Sequence, residues 1–276
     1  MIARIAAILM ALLPPFGAAA QGLGLFAGEG DDPIEIDASE GIEWRRDEQL
    51  YLARGDARAT RGDVTVEADV LIARYRDAPD GGTEIFRLDA VGNVQIYSPN
   101  ERAVGDNGVY DVDEGVLVLT GSNLRFTTPT DVITARDSLE YWERRRAAVA
   151  RGNAVVRRDP EIVSAETLQA FFTDGAGGGE EVERVEGFNR VCVFNGRDVA
   201  RGAVGRYNRA TEFAELEGDV VLTSGESVLR GERAEIDFRT GVSRLVAEGG
   251  RVRGRIVQRD DEAAAEAAQL RAAGCP

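Results

Sequence analysis

Seven glycines recur along the chain, at Gly55, Gly92, Gly121, Gly152, Gly187, Gly218 and Gly249, with steps of 37, 29, 31, 35, 31 and 31 residues. Two positions before each stands an apolar residue: Ala53, Ala90, Leu119, Ala150, Val185, Leu216 and Ala247. A fixed period near thirty residues describes stacked supersecondary units, each burying its apolar face against its neighbours. Such a stack differs from a single enzyme core, and it argues against most catalytic functions.

A second landmark follows each glycine but the last. It is Ala68, Ala103, Ala135, Ala165, Ala200 and Gly231, and an aromatic stands seven residues after each: Tyr75, Tyr110, Trp142, Phe172, Tyr207 and Phe238. Ile36-Asp37-Ala38 with Trp44 is a shortened opening copy.

Each unit contains two extended segments. Around Gly92, the residues Leu88, Ala90, Val94 and Ile96 share one parity, and Arg87, Asp89, Asn93 and Gln95 share the other. That alternation is the pattern of a half-buried strand. The same phase places Leu117 and Leu119 before Gly121, Ala154 and Val156 after Gly152, and Leu216, Val220 and Leu222 around Gly218. The second segment repeats it with Val64, Val66 and Ala68, then Ile133 with Ala135, Val163 with Ala165, and Leu229 with Gly231. The aromatic lies at an odd offset from the alanine, so it faces the other way unless a bulge intervenes; the sequence leaves this open. After Gly121 the apolar pair is displaced to Leu124 and Phe126, and after Gly187 to Val191 and Val193, which predicts bulges there.

Turn signals separate the segments: Arg61-Gly62-Asp63, Asp80-Gly81-Gly82, Asp113-Glu114-Gly115, Ser224-Gly225 and Thr240-Gly241. A glycine in mid-strand weakens the strand unless the chain bends there. Long strands that bend at their midpoints make a folded, two-walled antiparallel sheet with one apolar inner face. The copies predict fourteen to sixteen strands. The same alternation fits a β-sandwich with a solidly packed interior, although small inner residues (Ala57, Ala59, Ala103, Ala154) leave room for a groove. Two positions break the apolar pattern, Glu101 and Asp198, which stand where Val66 and Ile133 stand in other copies.

Residues 1–20 read as a secretory signal peptide: one arginine, a short apolar run to Leu13, then Ala18-Ala19-Ala20 before Gln21. The repeat domain occupies 34–257, and 258–276 reads as a helical or frayed tail. The glycine run at 175–179 is expected to be an insertion at a hairpin tip, or else the divide between two tandem units. Cys192 and Cys275 would meet an oxidising compartment; their separation in sequence leaves open whether they pair.

The formal charge of −15 and the absence of lysine argue against a nucleic-acid partner. The absence of histidine removes triads, most transition-metal sites and the commonest general base. No cofactor motif is present, and the chain is not expected to be an enzyme. Asp56, Asp63, Asp113, Asp219 and Asp237 sit at turns and strand edges, where aspartate is favoured locally. Arg251, Arg253 and Arg255 alternate on the last strand, where they meet lipid phosphates or discourage edge-to-edge aggregation.

The unit Leu52-Ala53-Arg54-Gly55-Asp56-Ala57, then Val64-Thr65-Val66-Glu67-Ala68-Asp69 and Tyr75, resembles that of the OstA-like family, the periplasmic lipopolysaccharide-transport proteins of the LptA type. It returns as Leu216-Glu217-Gly218-Asp219-Val220, then Leu229-Arg230-Gly231 and Phe238. The resemblance implies a β-jellyroll, or folded "β-taco", of about seven two-stranded repeats in the periplasm. It implies an apolar groove for the acyl chains of lipopolysaccharide (lipid A). The candidate groove residues are the inner positions already named: Val64, Val66, Ala68, Leu88, Ala90, Val94, Ile96, Leu117, Leu119, Ile133, Val156, Val163, Leu216, Val220, Leu222 and Leu229. It also implies edge-strand pairing with other transport components, head-to-tail copies, and a bridge between inner and outer membranes. Two alternatives stand beside it: a secreted polysaccharide-processing β-solenoid enzyme, and an inner-membrane-anchored member of the same pathway.

Overall fold

The computed structural model describes residues 34–78, 81–175, 179–247, 249–257 and Cys275. The expected signal peptide, and all of the tail but Cys275, lie outside these. The described chain is all-β and antiparallel, of the bent-strand jellyroll class, and it divides into two compact units at Ala150/Arg151.

The N-terminal unit carries β1 (Glu35–Asp37), β2 (Gly41–Arg45), β3 (Leu50–Arg61), β4 (Val64–Asp77), β5 (Thr83–Tyr97), β6 (Arg102–Asp111), β7 (Val116–Thr120), β8 (Arg125–Thr127), β9 (Val132–Thr134) and β10 (Ser138–Trp142). The C-terminal unit carries β11 (Ala147–Arg158, cut by the division), β12 (Glu161–Asp174), β13 (Glu180–Phe194), β14 (Asp198–Asn208), β15 (Phe213–Ser224), β16 (Ser227–Asp237), β17 (Val242–Val246) and β18 (Arg253–Arg255). These eighteen strands exceed the expected fourteen to sixteen because four long segments are interrupted, at β1/β2, β7/β8, β9/β10 and β17/β18. Of the glycine run at 175–179 the described residues are Gly175, just after β12, and Gly179, just before β13, and Gly175 N–H donates to the Gly179 carbonyl at 2.7 Å.

The bend has a specific backbone chemistry. Four of the repeating glycines are followed by Asp or Asn, and both residues of each pair are left-handed: Gly55-Asp56 (φ 75°, 43°), Gly92-Asn93 (79°, 49°), Gly152-Asn153 (82°, 45°) and Gly218-Asp219 (80°, 49°). Glycine enters that region without a Cβ penalty, and Asp and Asn tolerate it better than other side-chain-bearing residues. The pair inserts one extra residue. Arg54 pairs with Val70 and Ala57 with Ala68, so three steps on β3 match two on β4.

Such a bulge changes which parity faces inward on the neighbouring strand. On β4 the inward set runs Val64, Val66, Ala68 and then Leu71, Ala73, Tyr75. The odd offset between alanine and aromatic is thereby cancelled. Ala68 and Tyr75 are both buried, as are Ala103 and Tyr110. In β13 the left-handed pair is Asn189-Arg190, two residues late, with the register slip between Phe188 and Val191. At Gly121 the strand breaks between β7 and β8, and Ser122 donates its N–H and its hydroxyl to Asp106 Oδ2 at 2.7 and 3.0 Å. These are the two places where the apolar pair is displaced in sequence, and both Leu124 and Val191 are buried.

Cys192 and Cys275 form a disulfide across 83 residues, with Cα atoms 5.8 Å apart. Cys192 faces away from the inner side of its sheet. There it joins Phe194, Val199, Cys275 and Ile162 in a small outer apolar cluster.

Candidate functional site

In the N-terminal unit the bends bring the candidate inner residues together. Val64, Val66, Ala68, Leu88, Ala90, Val94, Ile96, Leu117 and Leu119 share one apolar cluster with Ala103, Tyr110 and Leu124. Leu119, which precedes its glycine, and Val94, which follows its own, both lie against Gly108: a Cβ there would meet Leu119 Cδ2 at 3.1 Å and Val94 Cγ1 at 3.5 Å. Beside the bend the packing is dry, with Val94 wholly buried. Away from it Val64, Leu88, Phe126, Leu139 and Tyr141 are half-buried, and so is Ile133, which pairs with Phe126.

In the C-terminal unit the register aligns Val163, Val193, Ala200, Leu222 and Leu229 in one row across five strands. Ala200 is buried and the other four are half-buried. Nearer the bend Val220 is wholly buried opposite Gly231, and Leu216 is buried between Gly205 and Ala234. Val156 is half-buried on β11. Ile236 packs with Ala214 and Phe238 from its own wall and with Val193 and Leu222 from the other. Within each unit the inner face is thus an apolar surface, tight at the fold line and partly open toward the strand ends.

Polar groups close the face at the hairpin tips. The N–H groups of Ser98, Thr128 and Asn195 donate to the carbonyls of Glu101, Asp131 and Asp198 in three matching turns. All three acids are buried. The apparent lapses in the apolar repeat at Glu101 and Asp198 are therefore turn residues at the rim. Burial pushes the Asp198 carboxyl above the usual aspartate range, against the opposing pull of Ser224, Arg197 and Asn195. At the other strand ends the Tyr110 hydroxyl lies 2.9 and 3.0 Å from the two Glu143 carboxylate oxygens, and burial followed by the Glu143 charge raises its pKa. Trp44 Nε1 donates to the Tyr75 hydroxyl at 2.8 Å.

Sequence reasoning did not name Leu71 and Ala73 as inner residues and left the facing of Tyr75 and Tyr110 open, because a parity count along one strand does not register a bulge in its neighbour. The Gly-Asp and Gly-Asn dipeptides were the available signal, since glycine, and after it Asn and Asp, are the residues that enter the left-handed region most readily.

The outer face is charged and laced with ion pairs, such as Arg76–Asp113 at 2.7 Å and Arg54–Glu43 at 2.7 Å. One concavity of about 500 Å³ lies on it, at the tips of β5, β6 and β8. Among the described residues, no group of three or more His, Cys, Asp or Glu is placed to hold a metal ion. No helix among them is long and apolar enough to cross a membrane.

In each unit an antiparallel sheet folded along left-handed bulges, apolar within and charged without, defines a protein of the β-jellyroll class. The family model described as "LptA/(LptD N-terminal domain) LPS transport protein" matches twice, over residues 35–137 and 135–242. The chain belongs to this lipopolysaccharide-transport family. It is 31% identical over 121 residues to an uncharacterized protein, R00383, of Rhizobium meliloti (strain 1021), covering 42% of this chain and 65% of that one. The match therefore spans just under two thirds of that relative. A further likeness is to the crystal structure of LptH from Pseudomonas aeruginosa, described as the LptA-homologous periplasmic component of the lipopolysaccharide transport device. It has 10% identity, covers 83% of this chain and 97% of that one, and has a TM-score of 0.21, too low to equate the two folds.

Proposed function

We propose that the protein is a periplasmic, non-catalytic carrier that shields the acyl chains of lipopolysaccharide on its inner face and forms part of a bridge between the two membranes. The observation that carries this reading is the half-buried row Val163, Val193, Leu222 and Leu229. An apolar row left partly open inside a charged shell is what a lipid chain would complete. Burying a methylene is worth about 0.8 kcal/mol, so ten of them supply about 8 kcal/mol before the cost of ordering the chain. The bridge would extend through the terminal strands. β1 and β2 run along β3, and β17 and β18 along β16. Exposed large apolar residues stand at both places: Ile42 and Trp44 at one, Val242 and Ile256 at the other. Backbone pairing there would add further copies or other transport components.

The test is photo-crosslinking to lipopolysaccharide from adjacent positions on opposite faces. A photoreactive residue at Leu222 should yield lipid adducts and one at Val221 should not. Equal yields from both, or none from Leu222, would sink the reading.

A further inference from the structure

The concavity at the tips of β5, β6 and β8 has a chemistry unlike that of the inner face. Its floor is a cross-strand row on the outer side, where Tyr97 pairs with Arg102 and Arg102 with Thr127. Glu67 and Gln95 form the next row, and Asn100 and Pro129 stand at the exposed turn tips.

Tyr97 is pinned from two sides. Arg58 Nη2 donates to its hydroxyl at 2.7 Å, and the hydroxyl donates to Glu67 Oε1 at 2.8 Å. Arg102 Nη2 donates to Gln95 Oε1. Both signs of charge and several neutral amides and hydroxyls therefore surround one fixed phenol ring. An anion would meet the Glu67 carboxylate, and a cation would meet Arg58 and Arg102. A neutral, polyhydroxylated ligand meets donors and acceptors together, with an aromatic group beside them for its C–H surface.

The position matters as much as the composition. On β5 the buried inner residue Ile96 is followed directly by Tyr97. On β6 the outer Arg102 is followed by the inner Ala103, and on β8 the inner Phe126 is followed by the outer Thr127. The apolar face and the polar concavity are thus two sides of the same three strand ends, joined by the Ser98–Glu101 turn.

We propose that this concavity is a saccharide seat, taking the neutral sugars beyond the acylated disaccharide of an amphiphile whose acyl chains lie on the inner face. The proposal rests on the acyl-binding reading of that face. An amphiphile held there turns its sugars over the Ser98–Glu101 turn and into contact with Asn100, Arg102 and Gln95.

The experiment uses the full chain and three probes: a neutral hexose oligosaccharide of the lipopolysaccharide core, lipid A without core sugars, and intact lipopolysaccharide. NMR titration with the free oligosaccharide should shift the Asn100, Arg102 and Tyr97 signals. Asn100→Ala and Arg102→Ala, both at exposed positions, should abolish that shift. They should weaken intact lipopolysaccharide by about fivefold to tenfold and leave lipid A affinity unchanged. The proposal is overturned if the oligosaccharide leaves these signals still, or if both variants bind lipopolysaccharide and lipid A as the wild type does. Failure of every form to bind lipid A would instead refute the acyl-binding reading, and the oligosaccharide titration would still decide the seat.

Discussion

Replacing Gly92 by alanine tests whether the fold line depends on a left-handed backbone and on close packing together. Gly92 has φ of 79°, where an L-residue costs about 1–2 kcal/mol. An added Cβ would also lie 2.1 Å from Asp69 Oδ2 and 2.8 Å from its Cγ, so the carboxylate must move. That carboxylate accepts from Asn93 Nδ2 at 3.0 Å on each oxygen, and losing a bond to a charged acceptor costs about 1.5–3 kcal/mol, less at an exposed site. The sum for Gly92→Ala is about 2–4 kcal/mol. Gly249 is an internal control. Its φ is 93° and nothing lies within 4 Å of an added Cβ, so Gly249→Ala should cost only the backbone part, about 1–2 kcal/mol. Asp69→Ala removes the two closest atoms and leaves the Asp69 Cβ at 3.0 Å. In that background Gly92→Ala should fall toward the Gly249→Ala value, a coupling of about 1 kcal/mol or more. Urea unfolding of the four variants and the wild type measures all of these terms. Equal costs at Gly92 and Gly249, or additivity of Gly92→Ala with Asp69→Ala, would refute the reasoning.

Other substitutions probe the rest of the molecule. Val220 is wholly buried on the inner face, so Val220→Asp leaves an uncompensated buried charge; thermal unfolding should show a loss of about 3 kcal/mol or more, against a much smaller effect of Val221→Asp on the other face. The Cys192–Cys275 bond closes a loop of 83 residues, for which chain entropy gives a ceiling of about 4–5 kcal/mol. Denaturation with and without a dithiol reductant should therefore show a lower midpoint for the reduced form, and coincident curves would mean that the link constrains nothing. Asp198 has a raised folded-state pKa, so the stability it contributes is fully present below the unfolded aspartate pKa and declines as pH rises through the folded one. Asp198→Asn should raise the melting temperature near neutral pH and flatten its pH dependence across that window. A melting temperature unchanged at neutral pH would show that the carboxylate is not strained by burial.

The repeat, the strand alternation and the inner set on either side of each glycine were legible because they are local. Leu88, Ala90, Val94 and Ile96 need only a period of two, and they all face inward. What escaped was the second half of each pre-bend wall. Whether Leu71 and Tyr75 share a face with Ala68 depends on an extra residue in β3 and β5, outside β4 altogether. A parity count along one strand cannot detect a bulge in its neighbour. Glu101 and Asp198 were misleading for a related reason. As strand residues they break the pattern, and as the closing residues of turns they complete it.

The sequence by itself determined an all-β repeat, its period, its dry face and the absence of histidine-based chemistry, because composition and short-range periodicity carry that information. Only the tertiary structure decided that four of the glycines pair with a following Asp or Asn to insert an extra residue in the strand. The structure also decided that Cys192 meets Cys275 on the outer side, and that a polar concavity backs the apolar face at three strand ends. The last two are relations between residues far apart in the chain, set by strand register and by the sheet's own folding, and the first, although its dipeptides are local, has its effect on the facing of the neighbouring strand.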